Sequence, residues 1–146
     1  MSADGGSGGR RSWRRAFGWG VLFIGDATAD VVVVDPDVPF TWGTVDEAFC
    51  VVVRHGQDVD DDVLEGLAPD DEVPWAEVSL EVRLGETAPD DVDGDGVVAV
   101  PTGVLTIGDA DEEERFDVEP GLWRVQIALS PLQDAETVKI WISRAR

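Results

Sequence analysis

Hydrophobic and polar residues alternate along much of this chain, and the period is two. In 76–84, Ala76, Val78, Leu80, Val82 and Leu84 share one face while Glu77, Ser79, Glu81 and Arg83 share the other. That alternation is what a half-buried strand requires. Residues 122–129 repeat it, with Trp123, Val125, Ile127 and Leu129 inward and Arg124 and Gln126 outward, and in 137–142 Val138, Ile140 and Ile142 oppose Thr137, Lys139 and Trp141. The runs Val31–Val34 and Phe49–Val53 are apolar on both faces, as central or doubly covered strands are. Residues 97–100 and 103–107 predict further strands, parted at Pro101, which cannot donate to a ladder and marks an edge or a bend. Arg115–Val118 predicts a short strand closed by the turn signal Glu119-Pro120-Gly121.

Helix signals are few. Asp60–Leu67 has room for a turn or two, with Asp suited to its N-terminus. Strands do not alternate with helices, which excludes a parallel α/β sheet. The pattern predicts an all-β fold, an antiparallel β-sandwich of about eight or nine strands or a barrel-like closure. The 146 residues suit one domain, placed at 16–146 behind a basic arm at 1–15. Residues 56–74 are acidic and aperiodic, and read as an exposed excursion between strands.

One octamer occurs twice. Residues 20–27 read GVLFIGDA and residues 103–110 read GVLTIGDA, differing only at Phe23 against Thr106. Each copy predicts an apolar strand ended by Gly-Asp, where glycine makes the turn and the carboxylate accepts from nearby backbone N–H groups. The repetition points to two related halves about a pseudo-twofold axis. The other reading is recurrence of a favourable strand-and-turn solution.

Charge modifies this picture. The chain holds 31 acidic against 11 basic residues, a formal charge of −20. Residues 1–15 carry four Arg against Asp4 alone, so the excess of acid lies in the body, chiefly in 58–72, 86–95 and 109–114. A broad nucleic-acid face is excluded, since phosphate neutralisation needs clustered Lys and Arg. Cys50 and His55 are single representatives, which excludes a disulfide and a four-ligand Cys/His zinc site. The first nine residues, MSADGGSGG, predict a flexible start to the arm. Arg14-Arg15-Ala16-Phe17 followed by apolar residues and Ala27-Thr28-Ala29 has the outline of an export signal of the twin-arginine kind. The second copy of the octamer favours reading that apolar run as a strand, with the protein cytoplasmic. No segment reaches the ~20 apolar residues of a membrane span.

Candidate chemistry is sparse. Asp91, Asp93 and Asp95, with Gly94 and Gly96, resemble the start of a calcium loop, because a hard cation wants converging carboxylates and a sharp turn. The twelfth position is Thr102 where an EF-hand needs Glu, and the alternative is a solvated hairpin loop between 76–84 and 97–107. Apart from this weak calcium candidate, no cofactor is expected. Cys50 and His55 are five apart in one strand and face opposite ways, so they make no nucleophile–base pair. No catalytic residue is identified, and the chain reads as a non-enzyme. Trp42, Trp75 and Trp141 are candidate binding residues, since exposed Trp marks protein or sugar surfaces. The alternative is that they plug the ends of the sandwich.

The C-terminal half presents Gly103-Val104-Leu105, the Pro120-Gly121 turn and Leu122-Trp123-Arg124-Val125 in that order, and the N-terminal half Asp46-Glu47-Ala48 near Trp42. This order is similar to that of the ComJ-like group of small bacterial β-sandwich proteins, which includes an inhibitor of a DNA-entry nuclease. It also resembles related actinobacterial domains. The resemblance implies the fold, and an inhibitor or immunity-type role toward a basic partner such as a nuclease, to which an acidic body would be steered. Two other readings stand beside it. One is solubility in concentrated salt, where the Debye length falls to ~3 Å at 1 M. The other is a structural domain binding calcium at 90–96.

Overall fold

A computed structural model of the chain describes residues 9–29, 41–45, 48–109 and 112–145. The strand expected at Val31–Val34 and the flexible start expected at 1–8 lie outside these residues. The described chain forms β1 (Gly9–Ala16), β2 (Val21–Asp26), β3 (Trp42–Val45), β4 (Ala48–Val52), α1 (Asp61–Glu65), β5 (Glu77–Leu84), β6 (Gly94–Val100), β7 (Val104–Gly108), β8 (Glu113–Asp117), β9 (Gly121–Ser130) and β10 (Thr137–Arg144). Sheet I has the order β1-β5-β10-β9-β6 and sheet II the order β3-β4-β2-β7-β8. The fold is the expected β-sandwich.

The alternating strands behave as their patterns demand. Val78, Leu80 and Val82 of β5, Val125 and Ile127 of β9, and Val138, Ile140 and Ile142 of β10 are buried. They meet Leu22, Ile24, Phe49, Val51, Leu105 and Ile107 of sheet II in one core. Each such side chain contributes about 1.5–3 kcal/mol by leaving water. Pro101 sits in the turn that carries the chain from β6 in sheet I to β7 in sheet II.

The two octamers lie side by side. β2 and β7 pair antiparallel with Ile24 opposite Ile107, the same position of each octamer. Gly20 and Gly103, which open the two copies, both adopt positive φ, 68° and 77°. Each N–H closes a turn onto the residue three before, Gly20 onto Phe17 O and Gly103 onto Val100 O. Only glycine takes this left-handed conformation without strain. Around this centre β4 and β8 flank the pair in sheet II, and β1 and β6 form the two edges of sheet I.

The central β10 runs antiparallel to β9 and parallel to β5. Sheet I is therefore mixed, and β5 and β6 are not neighbours. The hairpin expected between them is replaced by a crossing that passes β10 and β9, pinned where Ala88 N–H donates to Gln126 Oε1 (3.3 Å). This crossing explains why Gln126, on the outward face of its strand, is buried.

Residues 9–16 differ from the expected arm. They form edge strand β1, paired along its whole length with β5. Arg11, Trp13 and Arg15 share the face toward sheet II. The Arg11 guanidinium lies 4.2 Å from the centre of the Phe116 ring, and that of Arg15 lies 4.1 Å from Phe17. Stacked guanidinium groups and their aliphatic stems thus do what apolar side chains do elsewhere in the core.

Candidate binding surface

The carboxylates of the 90–96 segment are already engaged within the fold. Asp93 Oδ2 accepts the Leu129 N–H at 2.6 Å. Asp95 is gripped by Arg124, with Nη2 to Oδ2 at 2.6 Å and Nε to Oδ1 at 3.1 Å. That hydrogen-bonded pairing lowers the Asp95 pKa from its ordinary value. Asp91 is exposed and apart from both functions. Among the described residues, no group of three or more His, Cys, Asp or Glu side chains is placed to hold a metal. Asp91, Asp93 and Asp95 are not brought together as a cage.

The three candidate tryptophans separate. Trp141 is 6% exposed, in a row across sheet I between Arg83 and Gln126, with the Arg83 guanidinium 5.9 Å from the centre of its ring. It is withdrawn from any open surface, contrary to expectation. Trp42 stacks on Phe49, with ring centres 5.9 Å apart and planes at 16°. It packs against the core and closes the β3/β6 edge. Trp75 is 54% exposed and remains available. Cys50 is buried in β4 and His55 is exposed beyond its end. His55 Nδ1 accepts the Gln57 N–H at 3.1 Å.

A residue absent from the sequence reading joins Trp75. Trp19 is 71% exposed, in the turn closed by Gly20 N–H on Phe17 O. The same Phe17 carbonyl accepts the Gly56 N–H, and the Gly56 carbonyl accepts the Ala76 N–H. Trp75 lies flat on Gly56, whose missing Cβ would stand 2.5 Å from Cε3 of its ring. The Trp19 turn and Trp75 are therefore held together at one backbone junction. Residues 57–75 leave and return through that junction as a loop. The loop contains α1, none of whose residues is buried, and it exposes Val63, Leu64 and Val73. The sequence signals were Trp19 between Gly18 and Gly20, and apolar residues set among Asp without a partner at strand or helix period.

The loop is tethered by one cation. Arg54, 14% exposed, reaches Asp60 at 2.8 Å and Glu136 at 2.9 Å, and donates to the Asp58 carbonyl. No other Lys or Arg occurs between Arg54 and Arg83. Asp61, Asp62, Glu65, Asp70 and Glu72 are exposed, and no ion pair involves them among the described residues. The loop thus combines exposed apolar side chains with carboxylates that no Lys or Arg among the described residues pairs with.

Two carboxylates elsewhere are structural. Asp26, which ends β2, is 4% exposed. It accepts from Thr102 Oγ1 (2.7 Å) and N–H (3.1 Å), and from the N–H (2.9 Å) and hydroxyl of Thr28. Burial alone would raise its pKa, but these four donors outweigh burial and lower it to about 2. Asp109, its counterpart after β7, has its Oδ1 2.7 Å from Arg15 Nη2.

The fold is similar to that of ComJ, inhibitor of the DNA degrading activity of NucA, from Bacillus subtilis. The TM-score is 0.50 at 13% identity, over 94% of this chain and 99% of that one. It is likewise similar to the crocagin biosynthetic gene J protein, with TM-score 0.50 at 15% identity over 95% of this chain and 97% of that one. No family model and no curated protein matches the sequence. The fold is thus ComJ-like over nearly the whole chain, where the sequence resemblance rested mainly on the C-terminal half. Among the described residues no helix is long and apolar enough to cross a membrane.

Proposed function

We propose that this ComJ-like sandwich is a non-enzymatic binding module, an inhibitor or immunity-type protein whose partner is a basic protein such as a nuclease. The observation that carries the reading is the stretch between Arg54 and Arg83, where ten carboxylates occur with no Lys or Arg. A surface of one sign raises the rate at which an oppositely charged partner arrives and orients it on arrival. A nuclease active site expects phosphate and is electropositive for that reason, so a carboxylate-rich surface competes for it. The fold supports the reading, because one protein that shares it is an inhibitor of a DNA-degrading activity. The committed carboxylates at Asp93 and Asp95 leave calcium without a comparable argument.

The experiment is a DNA-degradation assay with any nuclease or toxin whose gene is found to neighbour that of this chain. An equimolar amount of the protein is expected to stop degradation, and the two are expected to co-elute on size exclusion. Undiminished degradation with separate elution would overturn the proposal.

A further inference from the structure

We infer that the junction of Trp19 and Trp75, with the exposed apolar residues of α1, is the contact core for that partner. The occupant is a basic protein surface that presents an apolar knob ringed by arginine. The inference rests on the functional reading above and adds the surface and its chemistry.

Three observations carry it. First, the site is left exposed by the described residues. Trp19 is 71% and Trp75 54% exposed, Leu64 and Val73 are exposed with them, and α1 buries nothing. Large aromatics left in water cost solubility unless something covers them. Second, the Trp75 ring is seated against backbone, and the turn that carries Trp19 is pinned to the same junction. The Phe17 carbonyl holds both Gly20 and Gly56, and Gly56 lets Trp75 lie against the backbone. A rigid aromatic loses little conformational freedom on binding, which is why Trp dominates interface cores. Third, the charge complements one kind of occupant. Asp61, Asp62, Glu65, Asp70 and Glu72 are interspersed in sequence with the apolar positions, and among the described residues no guanidinium pairs with them. The arginines of β1, in contrast, are spent on Glu77, Glu86, Asp109 and Glu114. An arginine on the partner would meet carboxylates at the rim and indole faces at the centre, where guanidinium stacks well.

A purely electrostatic surface would not distinguish two equally charged ligands, and this one would. The probes are two synthetic peptides with the same number of arginines, one alternating arginine with leucine and the other arginine with glycine. Affinity is measured by calorimetry at physiological ionic strength, and contact by the six indole N–H signals in a nitrogen-correlated NMR spectrum. The leucine peptide is expected to bind about tenfold tighter, shifting the Trp19 and Trp75 signals alone. Trp19→Ala and Leu64→Glu should each remove that advantage. Leu122→Ala, an equally exposed leucine on β9, should keep it. Both test variants alter exposed side chains, and unchanged melting confirms that they fold. Equal affinity for the two peptides, or an advantage that survives Trp19→Ala and Leu64→Glu, overturns the assigned surface and leaves the basic-partner reading standing. If neither peptide binds, the basic-partner reading falls, and the surface falls with it.

Discussion

Asp26 and Asp109 end the two copies of one octamer, and they are buried by different chemistry. Asp26 is surrounded by neutral donors from Thr28 and Thr102. Asp109 faces a guanidinium, Arg15, from the opposite sheet. Their neighbourhoods differ in the same way. On the Asp109 side, β1 and β8 are joined by Arg11 with Glu114 and by Arg11 and Trp13 with Phe116. On the other edge, β6 meets sheet II through glycine. A Cβ at Gly94 would stand 2.7 Å from Trp42, and one at Gly96 2.7 Å from Phe49. One sandwich is therefore closed by charge on one edge and by close aromatic packing on the other. A repeated Gly-Asp fixes where a carboxylate is buried, and the strand that arrives beside it decides how the charge is held.

The largest effect tests the charged side. Arg15 is 12% and Asp109 1% exposed in their side chains, so the pair is screened little by solvent. Arg15→Met keeps an apolar stem of similar length and removes the guanidinium from both a buried carboxylate and the face of Phe17. It is expected to cost about 3 kcal/mol, read from urea denaturation, with little dependence on added salt. A loss under about 1 kcal/mol would mean that the Arg15 guanidinium, by ion pair or by stacking, does not close this edge.

The neutral side makes a smaller prediction with a defined pH window. The folded pKa of Asp26 is lowered from 3.8 to about 2. The stability this confers is present above pH 3.8 and is lost as the pH falls toward 2. Nearly two units correspond to about 2 kcal/mol. Asp26→Asn keeps an acceptor for Thr102 but turns an amide N–H₂ toward the donors of Thr28. It is expected to lose about 2 kcal/mol at neutral pH and to flatten the acid limb of the stability curve between pH 4 and 2. An unchanged acid limb in the variant would place the acid sensitivity on other carboxylates.

The same contrast explains which parts of the molecule were legible in the sequence. β5, β9 and β10 show plainly because their sandwich-facing positions are chiefly Val, Ile, Leu and Trp. β1 does not show, because two of its three sandwich-facing positions are Arg11 and Arg15, whose guanidinium groups stack on rings supplied from far along the chain. A polarity pattern counts them as solvent-facing. The hairpin expected between β5 and β6 failed for a topological reason. β10 enters beside β5 in parallel, and such long-range pairing has no local sequence signal. Of the candidate binding residues, Trp75 is open, and Trp141 is buried beside Arg83, whose guanidinium lies 5.9 Å from the centre of its ring because β10 pairs with β5. Trp19 was hidden by its place in an apolar run that otherwise feeds β2.

The smallest effect separates structural arginines from merely paired ones within the same strand. Arg10 lies 3.2 Å from Glu86 and Arg14 3.6 Å from Glu77, on the outward face of β1. The hydrogen-bonded contact raises the Arg10 pKa and lowers that of Glu86. Both pairs stand in solvent, where holding two long side chains in one geometry consumes most of the Coulomb gain. The double variant Arg10→Gln with Arg14→Gln is expected to leave the urea midpoint within error of the parent and to reduce only its salt dependence. The backbone pairing of β1 with β5 and the Arg15–Asp109 contact are untouched by it. A midpoint drop comparable with that of Arg15→Met would show that β1 is held by its charges on both faces. The difference drawn between the two edges of the sandwich would then lie in the whole strand and not in one buried pair.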